Sequence, residues 1–380
     1  MPDTRPIRTF LDPSHEALAA RAAIVVAETI APRTEPANDD AARREARTLL
    51  GLLGSGGWLQ PILDLDLRGC CLMREALGHA SPLADAVFAL QGLGTTAILL
   101  GGSQAQKDRW LGPIARGEAM TAFAMTEPGA GSDVAGIATT ATREGSGYVL
   151  NGSKTLISNA GIADVYAVFA STDRGKGSKG ISCFLVDATT PGLRFAGAQV
   201  LSAAHPLGGL AFEGCRVPAD ALLGQEGRGY ALGLATLDRL RPTVAAAACG
   251  MAARALVEAL AHVRRRQQFG KPLAEFQLVQ QKLARTATDL TAARLLTYRA
   301  AYEKDRGQDR ITSEAAMAKS FATEMAQRAV DDAVQLIGGL GVLADHPVDR
   351  LYRAVRALRI YEGTTEIQQL IIAGELLKQG

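Results

Sequence analysis

Glu362, within Arg359-Ile360-Tyr361-Glu362-Gly363-Thr364-Thr365-Glu366-Ile367, is the residue best placed to move a proton. A carboxylate between Tyr and Gly, followed by a Thr pair able to cap a helix, sits at a fixed helix boundary instead of on a solvated face. Such a Glu is either a partner of the helix dipole or a general base. Far upstream, Phe123-Ala124-Met125-Thr126-Glu127-Pro128-Gly129-Ala130-Gly131-Ser132-Asp133 combines hydroxyls, a Pro-fixed bend and backbone N–H groups freed by glycines. That combination suits a ring edge and a pyrophosphate, and in isolation also suits a plain surface turn. Arg264-Arg265-Arg266 ends a helical pattern. Three arginines there are helix-end dipole partners or a solvated face, or they bind phosphate with a fork that stays charged.

Three zones of different texture hold these segments. From about Ser14 to Gly117, apolar residues at three-and-four spacing predict helices, among them Glu16 to Ile30 and Asp40 to Leu53. From about Met120 to Leu223 the pattern changes to short apolar runs between turn residues. Tyr148-Val149-Leu150, Val165 to Ala170, Ile181 to Val186 and Leu210 to Phe212 read as strands of a compact β-domain. From about Gly229 onward long helices return, over Val244 to Val263, Gln277 to Tyr302 and Ser313 to Gly338. Their Ala- and Leu-rich faces suit an antiparallel bundle.

Bulk properties narrow the class. A chain of 380 residues exceeds a single simple core and predicts two or three domains. A net charge of +2 gives no footprint for nucleic acid. Five cysteines (Cys70, Cys71, Cys183, Cys215, Cys249), without CxxC or zinc spacing, predict neither a metal site nor a disulfide framework. No apolar run reaches the roughly 18 residues of a spanning helix, and Met1-Pro2-Asp3-Thr4-Arg5-Pro6 opens no signal peptide, so a cytoplasmic protein is expected.

Taken together and in order, these segments resemble the acyl-CoA dehydrogenase family. Residues 123–133 match its FAMTEPGAGSD loop, and Asn151 to Gly161 is similar to its NGxKxWITNG strand and turn. Leu237 to Pro242 resembles LDxxRP at the start of a long helix, and Arg266 to Gln277 resembles RxQFGxPLxxFQ. Gln335 to Gly341 is similar to QxxGGxG, and Tyr361 to Thr364 reads YEGT. The resemblance implies an α+β fold with an N-terminal helical domain (1–118), a middle β-domain (119–223) and a C-terminal antiparallel four-helix bundle (224–380).

It further implies dehydrogenation of an acyl-CoA to a trans-2-enoyl-CoA, with Glu362 as base and FAD N5 as hydride acceptor. Phe123, Met125, Thr126, Ser132, Leu156 and Ser158 would line the flavin. Arg266, Phe269, Phe276, Gln277, Gln335, Gly338, Gly339, Thr364 and Glu366 would hold the rest of FAD, partly across a subunit interface of a homotetramer. Ser132, Asp238, Arg241 and Gly363 would meet the thioester, and Phe88, Leu90, Gln91, Leu93 and Thr96 would floor the acyl pocket. Some branches place their base at the position of Leu240, which cannot accept a proton, leaving Glu362. An electron-transfer flavoprotein is the expected acceptor.

Three departures stand out: Leu156 replaces the usual Trp beside the flavin, Ser158 the usual Thr, and Ala354 an Asp. Leu156 keeps an oxygen-using acyl-CoA oxidase in view. A flavin-binding scaffold that protects DNA is a rival of another class, opposed by the intact YEGT and the balanced charge. A flavin monooxygenase would not need Glu362.

Overall fold

The computed structural model describes residues 3–378, so the outermost positions of the first and last expected domains lie outside the described residues. The order along the chain is helices, strands, helices. The first helices are α1 (Pro13–Val25), α2 (Asp39–Ser55), α3 (Gln60–Leu63), α4 (Leu67–Ala80), α5 (Pro82–Gly101) and α6 (Gln104–Ala115). Strands β1 (Thr121–Ala124), β2 (Thr140–Glu144), β3 (Gly147–Ser158), β4 (Val165–Ser171), β5 (Ile181–Asp187), β6 (Leu193–Ala198) and β7 (Leu207–Pro218) follow. Then come α7 (Gly229–Arg265), a ribbon of β8 (Gln267–Gln268) and β9 (Lys271–Pro272), and α8 (Gln277–Asp305), α9 (Thr312–Ile337), α10 (Pro347–Leu358) and α11 (Thr365–Leu377).

The chain divides into two compact units. One comprises Met1–Thr34, Asp66–Asp85 and Asp238–Gly380, the other Glu35–Leu65 and Ala86–Leu237. The second is built on a seven-stranded sheet in the order β1-β4-β2-β3-β7-β6, with β5 also on β4. β1 runs parallel to β4, with Phe123 opposite Ala167. β3 runs antiparallel to β7 with an irregularity between Lys154 and Ile157. Strand β4 is buried along its whole length, as expected for an apolar run in a sheet interior. In the first unit α9 packs on α8, α10 and α11. Alanines 318, 322 and 326 of α9 and alanines 245, 248 and 252 of α7 are fully buried in one apolar cluster, where small side chains let helices pack closely.

Several expectations shift. The helix expected from Glu16 starts at Pro13 behind a capping box at Asp12, and Val26–Ile30 is a π turn that continues it. The LDxxRP segment does not start a helix: α7 begins at Gly229 and carries Pro242 in its interior. Strands β1, β2 and β6 show no clear alternation in sequence, because β1 spans four residues and β6 is mostly exposed. Gln91 has a structural task in α5. Its Nε2 donates to the Ala119 carbonyl (2.7 Å) and its Oε1 accepts from Thr121 N–H (3.0 Å), fixing the start of β1.

α5 and α7 are long and apolar enough to cross a membrane, yet 72% and 67% of their most apolar windows are buried inside the protein, as core helices are. His15, Asp66 and Asp305 gather at the start of α4. There Asp305 accepts from the N–H groups of Leu67 (2.9 Å) and Arg68 (3.0 Å), and Asp66 from Gly69 (2.9 Å), which satisfies the helix N-terminus. All five cysteines are unpaired and buried.

Candidate active site

Glu362 lies in the turn joining α10 to α11. Thr364 caps α11 by accepting from Ile367 N–H (3.4 Å), and Thr365 Oγ1 and Arg359 Nε each bond Glu324 Oε1 at 2.7 Å. The turn requires left-handed backbone at two consecutive residues, with φ 55° at Glu362 and 91° at Gly363. That conformation costs a residue with a Cβ about 1–2 kcal/mol. A Cβ at 363 would also press on the movable end of Gln368 (2.5 Å to Nε2), but the positive φ is what calls for glycine there.

Hydrogen bonds to the carbonyls hold the strained turn. Arg241 Nε donates to Glu362 O (3.2 Å), and Gln368 Nε2 donates to Glu362 O (3.3 Å) and Gly363 O (3.0 Å). Lys319 Nζ, on a fully buried side chain, donates to Gly363 O (2.7 Å). The carboxylate itself is left over: Glu362 Oε2 is buried with no hydrogen-bond partner. Buried orphan acceptors are uncommon in folded proteins, and here Gln368 Oε1 at the start of α11 is also left without a partner. Burial pushes the Glu362 carboxyl above the usual carboxylate range, against the pull of Arg74, Lys319 and Arg241. Lys319 in turn is drawn down to about 8 by its own burial.

Arg241 is therefore beside Glu362, while Asp238 pairs with Arg241 and accepts from Thr312 Oγ1 (3.0 Å). The sequence reading missed Arg74, Asp85, Lys319 and Gln368. A lone Lys in Ala315-Ala316-Met317-Ala318-Lys319 was the available signal, because a charge inside an apolar stretch needs a buried partner.

In the other unit, residues 123–133 leave the end of β1. Phe123 packs on Phe169 with ring centroids 4.7 Å apart. Glu127 anchors the loop from inside, accepting from Ala138 N–H (2.5 Å), Thr139 N–H (3.0 Å) and Lys154 Nζ (2.7 Å). Lys154 Nζ also donates to Met125 O (3.0 Å), and Thr155 N–H to Thr126 O (3.0 Å), tying the loop to β3. Burial works to raise the Glu127 carboxyl, but Lys154 and the donors around it hold it below the usual range.

Outward, Ser132 is exposed, Met125 is buried and Thr126 is half-buried. Gly129 and Gly131 face open space where a side chain would stand. At the end of β3, Leu156 has φ 54° and is 55% exposed, and its N–H donates to Gln199 Oε1 (2.8 Å). Ser158 Oγ shares a 2.7 Å hydrogen bond with His205 Nε2, a ring kept neutral because burial pulls it down to about 4. Open glycine edges, two hydroxyls and an exposed apolar side chain fit the flat ring and phosphates of a flavin nucleotide.

Arg266 and the β8–β9 ribbon form a separate group. The ribbon turns through Phe269 (φ 53°, 91% exposed) and Gly270, and Phe269 meets Phe276 at 6.2 Å between centroids. Arg266 and Gln277 are exposed, as are Gln335, Gly338 and Gly339 at the C-terminal end of α9 and Glu366 in the first turn of α11. Phe269 is the most exposed large apolar residue among the described ones.

Sequence models of the acyl-CoA dehydrogenase N-terminal, middle and C-terminal domains match residues 12–118, 122–215 and 227–377. The 3-(aryl)acrylate reductase of Clostridium sporogenes is 43% identical over 316 residues, covering 82% of this chain and 84% of the relative. Butyryl-CoA dehydrogenase from Megasphaera elsdenii superposes with a TM-score of 0.88 at 33% identity, over 97% of this chain and 99% of that one. A chain from the structure of the electron transferring flavoprotein of Acidaminococcus fermentans matches with a TM-score of 0.91 at 34% identity, over 97% and 99%.

The chain belongs to the acyl-CoA dehydrogenase family, flavoprotein oxidoreductases that act on the CH–CH group of acyl-CoA thioesters with FAD as cofactor. It has the three-part architecture of helical, β and helical domains.

Proposed function

We propose that Glu362 is the base that removes the α-proton of an acyl-CoA, giving a trans-2-enoyl-CoA. The observation that supports this most is its buried, unpartnered Oε2 on a turn whose carbonyls are held by Arg241, Lys319 and Gln368. Bonds to the carbonyls fix the base without consuming its oxygens. The raised carboxyl affinity for protons makes Glu362 a stronger base than an exposed Glu once ionised. Its backbone N–H is suited to polarise the thioester carbonyl as charge develops there.

Thr126, Ser132 and Ser158 present the hydroxyls, and Phe123, Met125 and Leu156 the apolar surface, that would hold the flavin ring. Arg266 would take the pyrophosphate, and Phe269, Phe276, Gln277, Gln335, Gly338, Gly339, Thr364 and Glu366 the remainder. Bound FAD supplies the acceptor for the β-hydride. We read Asp238, Arg241, Gly363 and Ser132 as the residues that position the thioester. The segments 1–118, 119–223 and 224–380 are the corresponding domain boundaries. The exposed Phe269 and the exposed apolar residues Leu340, Val342 and Leu370 support a homotetramer. Reduced, buried thiols support a cytoplasmic setting.

The purified protein should be yellow with one FAD per chain, and its visible flavin absorption should bleach when a suitable acyl-CoA is added without oxygen. A panel of acyl-CoAs checks this. Absorption that no thioester bleaches, in protein shown to hold FAD, removes the dehydrogenase reading.

An electron-transfer flavoprotein is the proposed acceptor. Leu156 is smaller than the Trp of the family's pattern, and we read the freed space as covered by neighbouring groups once FAD is bound, not as an oxygen path. Substrate-reduced enzyme should therefore reoxidise slowly in aerated buffer and quickly with an electron-transfer flavoprotein, as stopped-flow absorbance will show. Fast peroxide-forming reoxidation that Leu156→Trp suppresses would make the protein an oxidase.

A further inference from the structure

Arg74 and Asp85 form the most deeply buried arginine–carboxylate pair near the base, each side chain 2% exposed. The fork is complete: Nε donates to Asp85 Oδ1 (2.8 Å) and Nη2 to Oδ2 (2.9 Å). Nη1 goes elsewhere, to Thr243 Oγ1 on α7 (2.9 Å). Thr243 Oγ1 in turn donates to Leu240 O (2.7 Å), one residue before Arg241, whose Nε holds the Glu362 carbonyl (3.2 Å). One continuous set of bonds thus runs from α4 and α5, through the Pro242 region of α7, to the turn that carries Glu362. The Tyr361 phenol, next to the base, also lies beside Arg74.

Stability alone is a poor reason for such a pair. Replacing a buried ion pair by apolar residues of similar volume is often neutral or stabilising. We propose that Arg74, together with Asp85, is a positioning residue that sets both the placement and the charge state of Glu362. The proposal rests on the reading of Glu362 as base.

The charges around Glu362 come from several elements. Arg74 on α4, Arg241 on α7 and Lys319 on α9 favour its ionised form, and Asp85 on α5 opposes them. Arg241 is matched by Asp238, and Arg359 by Glu324, while Glu324 and Glu366 also act on Lys319. Arg74 is the strongest cationic influence on the Glu362 carboxyl, and Asp85 opposes it. The two partners of one ion pair therefore act on the base with opposite signs.

The test uses the FAD-loaded enzyme and three variants: Asp85→Asn, the double variant Arg74→Gln with Asp85→Asn, and Glu362→Gln. Two quantities are followed against pH. One is kcat/KM, whose acidic limb reports ionisation of the base in free enzyme. The other is the carboxyl stretch in difference infrared spectra, assigned by its loss in Glu362→Gln. Asp85→Asn leaves Arg74 unneutralised, so both titrations should move to lower pH. The double variant removes the stronger cation along with its partner, so both should move to higher pH. It buries no unpaired charge, so it remains measurable even where Asp85→Asn folds poorly, and its upward displacement is then decisive. Titrations that stay at the wild-type position, or move in the same direction in both variants, overturn the proposal. If Glu362→Gln keeps wild-type turnover and its acidic limb, the assignment of the base fails instead, which is a separate outcome.

Discussion

Glu362→Gln is expected to retain FAD and to lose turnover by about 10²- to 10⁴-fold, the range typical of a general base. The variant keeps the shape and the backbone contacts, because Arg241, Lys319 and Gln368 hold carbonyls and not the carboxylate. A second effect of opposite sign should accompany the loss. Burial raises the Glu362 carboxyl, so the folded protein holds that proton to higher pH than the unfolded chain. The stability associated with the protonated form is full below the unfolded carboxylate range and is lost as pH rises through the raised folded value. A neutral Gln has no such loss. Denaturant unfolding should find the variant more stable than wild type above that window and equal to it at acid pH. Near-normal turnover with unchanged stability at every pH would move the chemistry away from this residue.

Lys154→Met should produce the largest structural effect of a single substitution in the sheet unit. It leaves Glu127 buried without its cation, and breaking a buried pair in this way costs about 3–5 kcal/mol. It also releases the Met125 carbonyl that Lys154 holds, loosening the loop that presents Thr126 and Ser132. Lower urea midpoints and faster FAD release should therefore appear together. Changing Glu127 to Gln as well should recover part of the stability, because the two sites share one interaction. An unchanged midpoint with unchanged FAD retention would show the pair to be unimportant for the loop.

Glu362 and the 123–133 loop stood out because their segments resemble the family's motifs in order; a Thr cap or a Pro-Gly bend taken alone also fits an ordinary helix start or surface turn. What surrounds Glu362 did not stand out. Arg74 sits in Leu72-Met73-Arg74-Glu75-Ala76, where two charges in sequence read as a solvated face of a helix. In the structure Arg74, Glu75 and Arg294 are all buried, Glu75 bonding Arg294 Nε (2.7 Å) and Tyr298 (2.9 Å). Only tertiary packing tells a solvated helix charge from one enclosed by neighbouring helices. β1 was hidden for a similar reason, since its pairing with β4 is non-local and four residues hold too little alternation. Asn151-Gly152, a strong turn signal, lies inside β3 instead. Gly152 takes φ 145° against Thr139, and Asn151 Oδ1 accepts from Gly214 N–H (2.8 Å). A bulge and a turn draw on the same residue types, and the partner strand decides between them.

The five cysteines bear on how such a protein ages. Cys71, Cys183, Cys215 and Cys249 are fully enclosed and Cys70 is 4% exposed, and burial pushes the thiol of each upward, that of Cys215 to about 11. Oxidants attack the thiolate, and only where they can reach it. While folded, the chain thus offers no sulfhydryl on which peroxide from a stray encounter between reduced flavin and air could write a lasting mark. Its thiols stay silent toward such oxidants for as long as the fold is closed over them.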